Sequence, residues 1–154
     1  MKIQNLVKEL EEKDFFKKFM EDNPDAYLGA CFAVIGDEEK CQIDYFIPSK
    51  EKMASVAYPF SEMKIYEDKI KNCKKMGEIK LDISDLWDRV EEIKKENTIG
   101  DKTSKIIAIL KDDIWSLTVL FLSMTMLKIK VDALTGNVID FKKASMFDFI
   151  KKVD

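Results

Sequence analysis

Histidine is absent from this sequence of 154 residues, and glycine occurs only five times. Histidine is the usual general base at neutral pH and a common metal ligand, so its absence weakens most nucleophilic and zinc arrangements. The few glycines form no GxGxxG, GxxxxGK or GxSxG pattern, and HExxH is also missing, which argues against phosphate-binding loops and familiar hydrolase motifs. We therefore expect no cofactor, no metal site and no catalytic residue.

Disulfide chemistry is also poorly supported, because the three cysteines are an odd number and include no CxxC pair. Free thiols in a reducing cytosol are the simpler interpretation. A nucleophilic cysteine would need a base or a positive field beside it. Cys31 and Cys41 lie in apolar strand patterns, where cysteine behaves as a small hydrophobe. We predict that these two and Cys73 are core or surface thiols.

A strong excess of basic residues is missing as well. The 26 basic and 29 acidic side chains give a net charge of −3, so we expect no nucleic-acid partner. The most apolar run, residues 114–127, is too short to cross a bilayer. The N-terminal sequence lacks the continuous apolar region of a signal peptide. These features predict a cytoplasmic protein without membrane contact, and the abundance of lysine, glutamate and isoleucine is typical of a thermophilic or AT-rich source.

The first part of the chain has the pattern of a helix followed by short strands. Apolar residues recur at helical spacing over residues 3–22, as one helix or a bent pair with Asp14 as a second cap. The helix must end before Pro24. Strand patterns follow at residues 28–35, 41–47, 53–58 and 63–66. Both faces of the strand 28–35 are apolar, which predicts a central strand packed on two sides or a dimer surface.

The second part of the chain repeats this pattern after a charged segment, residues 67–80. A helix is predicted to begin at Asp82 or Ser84 and to end with Gly100 in the left-handed conformation. Strands follow at residues 104–111, 114–122, 126–132 and 137–142, with Gly136 in the last hairpin turn and a short final helix capped by Ser145. The prediction is an α+β fold of two helix-plus-antiparallel-meander halves, residues 1–70 and 80–154, or one continuous domain.

The string Lys130-Val-Asp-Ala-Leu-Thr-Gly-Asn-Val-Ile139, with the helix and two strands before it, resembles the PepSY family. The resemblance covers residues 84–142, and the string is similar to the Val-Asp-Ala-x-Thr-Gly-x-Val closing hairpin of that family. It implies a helix laid across an antiparallel sheet, as in cystatin-like folds. It also implies a role in binding or inhibition, and it offers no catalytic residues.

Two groups of side chains are candidate sites. Gln42 and Asp44 share one strand face, and a helix over that face would leave a pocket for a ligand beside Tyr45. The alternative is an ordinary exposed sheet face. The apolar strand near residues 114–122 is hard to solvate on both sides, so we predict a homodimer interface or a tight contact between the halves. The predicted interface residues are Trp115, Leu117, Phe121 and Met124.

Three functions remain open on the sequence alone. The first is a non-enzymatic binding or protein-interaction module that uses its sheet face or an exposed edge strand to bind an unidentified protein partner. The second is a small-molecule-binding protein or enzyme with a pocket between a helix and a curved sheet. The third is a structural homo-oligomer.

Carboxylate pairs such as Asp112 and Asp113 suit tight turns, so they do not favour catalysis.

Overall fold

Eight antiparallel strands form one sheet in the computed structural model, which describes residues 1–145. The strands are β1 (Tyr27–Ile35), β2 (Lys40–Ile47), β3 (Lys52–Ala57), β4 (Lys64–Ile65), β5 (Thr103–Lys111), β6 (Ile114–Phe121), β7 (Thr125–Asp132) and β8 (Val138–Ser145). Their order across the sheet is β4-β3-β2-β1-β5-β6-β7-β8. The predicted α+β class with an antiparallel sheet is confirmed. The predicted final helix lies outside the described residues.

Three helices, α1 (Ile3–Glu11), α2 (Asp14–Asp22) and α3 (Leu86–Glu96), pack on one face of this sheet. In α1 the buried residues Ile3, Leu6 and Leu10 recur every three or four positions, which places them on one side of the helix. The N-terminal helical region is therefore a pair of helices. Asp14 is the first residue of α2 and makes no side-chain cap hydrogen bond, contrary to its predicted role.

The strand side chains that face the helices form one hydrophobic core. Strand residues alternate between the two faces of a sheet, and β6 shows this clearly because every second residue is buried. Trp115, Leu117 and Phe121 are only 0%, 2% and 4% exposed. Trp115 Nε1 also donates a hydrogen bond of 2.7 Å to the carbonyl oxygen of Leu81. These three predicted interface residues therefore pack inside the chain.

Residues 66–80, called the strap below, run along one end of the sheet, from the face without described helices, where Ile70 and Cys73 pack, to the main core, where Met76 and Ile79 pack. The strap is held by backbone hydrogen bonds from Ile70 N to Glu51 O at 2.7 Å and from Met76 N to Leu28 O at 3.0 Å. Within the strap, the Cys73 side chain is buried against β1, and a Cβ added to Gly29 would lie 2.6 Å from Cys73 Sγ. The charged segment that we predicted as a solvated boundary is thus packed on the protein through Ile70, Cys73, Met76 and Ile79.

The turns use left-handed backbone at several residues. Asp112 and Asp113 have φ of 53° and 63°, which matches the tight hairpin between β5 and β6. Gly136 has φ of 84°, so the predicted hairpin turn is confirmed. After α3 the left-handed residue is Thr98, with φ of 55°, and not Gly100 as predicted.

Replacing Asp82 with alanine should lower the free energy of unfolding by about 1–2 kcal/mol, because this side chain caps two helical segments. Its Oδ1 accepts hydrogen bonds from Ile83 N at 2.8 Å and from Ile3 N, at the start of α1, at 2.9 Å. The other predicted cap, Ser84, makes no side-chain hydrogen bond among the described residues, so Ser84→Ala should change stability by less than about 0.5 kcal/mol. Urea denaturation of both variants measures the difference. Equal losses would show that Asp82 does not cap these helices.

Candidate functional site

The face of the sheet that points away from the helices, called the open face below, carries the candidate site. Because strand side chains alternate, the open face includes the residues between the core positions of each strand. Within residues 1–145 the buried apolar cluster on this face lies at one end, under the strap, and consists of Ala30, Phe46, Met53 and Cys73. The middle of the face is therefore left without an apolar cover among the described residues.

The two predicted ligand-binding residues of β2 lie together on this face. Gln42 Nε2 donates hydrogen bonds to Asp44 Oδ1 at 3.0 Å and to Ser55 Oγ at 3.3 Å. Ser55 Oγ in turn donates to Asp44 Oδ1 at 2.6 Å. Ser55 could not be identified from the sequence, because its contact with Asp44 depends on the register of β2 and β3. The three side chains use much of their hydrogen-bonding capacity on one another.

The structure corrects the predicted pocket at these residues. Tyr45 lies on the opposite face, 5% exposed, with its ring centroid 5.2 Å from that of Phe16 and 6.3 Å from that of Phe19. Burial raises the pKa of the Tyr45 hydroxyl above its ordinary value. The three described helices therefore cover the Tyr45 face, whereas Gln42 and Asp44 lie on the face that carries none of them. Among residues 1–145, no helix-covered pocket joins the three residues.

The cysteines are all free and buried. A hydrogen bond to Cys41, together with burial, raises the pKa of the Cys31 thiol, and burial also raises the pKa of Cys73. Neither thiol is thus prepared to act as a thiolate at neutral pH. Among the described residues no cluster of three or more potential ligand side chains is arranged to hold a metal ion.

A cavity of about 720 Å³ lies at one end of the sheet, where the β1–β2 turn meets the start of α3. Its lining combines apolar side chains, including Val34 and Trp87, with the charged residues Asp37, Lys40 and Lys102. Val34 belongs to the open face, whereas Ile83 and Trp87 belong to the helix side, so the cavity lies at the end of the sheet between its two faces. Its charges are mixed in sign and give no clear preference for one ligand.

The central feature of the open face is a band of apolar side chains, called the apolar strip below. The register places Phe32 opposite Ile109, and Val34 opposite Ile107, across the β1–β5 pair. Leu120 on β6 lies diagonally from Ile107, directly opposite Lys105, and is paired with Met126 on β7. Ile109 is 45% exposed, and the other five are only partly buried. The strip consists of Phe32, Val34, Ile107, Ile109, Leu120 and Met126.

Exposed lysines surround this strip, and they are called the lysine rim below. They are Lys40, Lys105, Lys111, Lys128, Lys130 and Lys142. Among residues 1–145, Lys40 lies 4.0 Å from Glu38, and none of the other five forms an ion pair. The three strand carboxylates of the face accept local hydrogen bonds: Asp44 from Gln42 and Ser55, Asp132 from the amides of its turn, and Asp140, which lies opposite Lys130, from the amide of Phe141. The middle of the open face is therefore apolar with a positive border.

Of the four predicted interface residues, only Met124 reaches the surface. It is 53% exposed in the β6–β7 turn, next to Leu122, which is 63% exposed. Trp115, Leu117 and Phe121 cannot contact a second chain without unpacking the core. They pack in the core of the chain, and the hydrogen bond of Trp115 goes to Leu81, in the same predicted half.

No protein-family model matches this chain, and no curated protein matches it. A crystal structure of a "putative lipoprotein" from Clostridium difficile 630 is similar, with a TM-score of 0.51 and 15% sequence identity. The match covers 87% of this chain and 97% of that chain. At this identity the two proteins share a fold.

As for membrane spans, none of the described helices has the length and apolar character needed to cross a bilayer.

Proposed function

We propose that this chain is a non-enzymatic protein-interaction module that binds its partner through the open face. The observation that supports the proposal is the apolar strip. Within residues 1–145, no apolar cluster packs over it. Contiguous exposed apolar surface bordered by polar residues is typical of interaction sites. The helix-covered face, by contrast, is fully used by the protein's own core.

The order of elements supports this proposal. Helices α1 and α2 precede the meander β1–β4, and α3 precedes the meander β5–β8. We propose that these are two halves of one repeated unit, each similar to a PepSY or cystatin-like domain, joined through β1 and β5. A helix on one face of each meander leaves the other face open for a partner. The binding role implied by the PepSY resemblance of residues 84–142 agrees with this arrangement.

The other functions have less support. In the cluster of Gln42, Asp44 and Ser55, Ser55 is buried, the other two are half-buried, and the three side chains bond one another, so the cluster favours a small-molecule pocket less than the sequence suggested. A homo-oligomer stays a prediction, with Met124 as the exposed member of the predicted interface, and so does the cytoplasmic location.

The double variant Ile107→Thr/Ile109→Thr should weaken partner binding at least about tenfold, which corresponds to about 1.4 kcal/mol. Threonine keeps the branched shape that suits a strand but replaces apolar surface with a hydroxyl. The probe is a set of peptides selected from a random display library against the full chain, with dissociation constants measured by fluorescence anisotropy. The control is Ile139→Thr on β8, which is 53% exposed and outside the apolar strip.

Selected peptides that bind the double variant as tightly as the original chain would contradict the proposal. A library that yields no binder would contradict it too. Loss of binding in the Ile139→Thr control to the same extent would show that the effect is not specific to the apolar strip.

A further inference from the structure

We infer that the partner of the open face is an acidic protein segment whose apolar side chains are flanked by carboxylates. This inference rests on the proposed function and specifies the chemistry of the partner. Its basis is charge complementarity between such a segment and the lysine rim, which encloses the apolar strip on the same face of the sheet.

Two lysines of the rim lie where their charges repel each other, which lowers the stability of the free protein. Lys128 on β7 lies directly opposite Lys142 on β8, and Thr118 is its neighbour on the other side. Like charges directly opposite each other on adjacent strands are destabilising. Neither lysine forms an ion pair with a described residue. A carboxylate from a bound partner, placed between the two ammonium groups, would turn this repulsion into attraction.

The rows of the sheet show how close the charges are to the strip. One row runs across the strands as Lys40, Val34, Ile107, Thr118, Lys128 and Lys142. Adjacent strands are about 4.8 Å apart, so the lysines of β7 lie roughly 10 Å from Ile107. A segment that buries its apolar side chains on the strip can thus reach the rim with acidic side chains a few residues away.

The net charge of the open face is positive, whereas the net charge of the whole chain is negative. Among its strand residues, the open face carries Lys64 and the six lysines of the rim against three carboxylates, Asp44, Asp132 and Asp140, and the strap adds charges of both signs. The whole chain has a net charge of −3, so its remaining surface is net negative. Two copies packed open face to open face would bring the two lysine rims together, which opposes association. An acidic partner avoids this repulsion.

Charge reversal at the rim tests the inference. Peptides selected against the full chain should be enriched in aspartate and glutamate beside large apolar residues. The variant Lys128→Glu/Lys130→Glu should bind them at least about tenfold more weakly. The control Lys17→Glu/Lys18→Glu makes the same change of charge at exposed positions of α2, on the opposite side of the sheet, and should bind normally. Raising the salt concentration should weaken binding to the original chain and should have little effect on the rim variant.

The outcomes separate this inference from the proposed function. Binders that depend on Ile107 and Ile109 but show neither acidic enrichment nor sensitivity to rim reversal would overturn the inference and leave the proposed function standing. Binders insensitive to both the strip and rim variants would overturn both. If the chain alone sediments as an oligomer, and Ile107→Thr/Ile109→Thr dissociates it, the partner of the open face is a second copy of the chain. If the chain binds phosphatidylglycerol vesicles through the lysine rim and the library yields no acidic peptides, the partner of the open face is an anionic lipid surface.

Discussion

Trp115→Ala should lower the free energy of unfolding by about 3–5 kcal/mol, a large part of the total for an ordinary domain. The indole is 0% exposed and lies among the core residues beneath the helices, so its removal leaves a cavity. The variant also leaves the Leu81 carbonyl, which accepts the hydrogen bond from Trp115 Nε1, without its partner. The two effects act together on a single buried position of β6.

Urea denaturation monitored by circular dichroism measures this loss as a lower midpoint with an unchanged m-value. Trp115→Phe should cost less, because it retains most of the ring volume and removes only the N–H donor and part of the packing. Ile139→Ala, at a 53% exposed position, should change stability by less than about 0.5 kcal/mol. If Trp115→Ala lost under 1 kcal/mol, or instead shifted the protein from dimer to monomer, the tryptophan would be an interface residue, as the sequence first suggested.

Isolated residues 80–154 should show no cooperative unfolding transition as a monomer. In the full chain β5 pairs with β1 from Ile106 to Lys111 along an edge that the isolated segment would expose. An apolar edge strand of this length is prone to pair with other chains. The segment would also lose the hydrogen bond from Ile3 N to Asp82, and the backbone bond from Ser84 N to Met1 O, at the base of α3. The continuous sheet therefore favours one domain over two independent halves.

Circular dichroism and urea titration of the segment, at several protein concentrations, provide the measurement. A single sharp transition, independent of concentration, with an m-value suited to the segment's size, would show that residues 80–154 are an independent domain. In that case residues 1–70 and 80–154 would have to be described as separate folding units.

Local patterns in the sequence predicted the elements well, because alternation and helical spacing depend on neighbouring residues. In β2, Cys41, Ile43 and Tyr45 are buried, and Gln42 and Asp44 are not, as the pattern predicts. The pairing of β1 with β5 could not be predicted in this way. It joins strands that are far apart along the chain, and two apolar strands match one another in many registers.

The candidate site was only partly predictable for the same reason. That Gln42 and Asp44 share a face follows from the two-residue period of a strand, but which face the helices cover does not. Strand β1 is apolar on both sides, so the sequence could not say whether Phe32 or Ala33 faces the core. The proximity of Lys128 to Ile107 likewise depends on the register of β5, β6 and β7.

The central claim is that the open face is the binding surface, and NMR mapping of a bound peptide tests it most directly. Amide chemical shifts of the full chain are recorded while a selected peptide is added. We expect the largest changes at residues 32–34, 105–109 and 118–120, and small changes along α1, α2 and α3. Changes concentrated on the helices, or at the turn that contains Met124, with an unaffected apolar strip, would contradict the account.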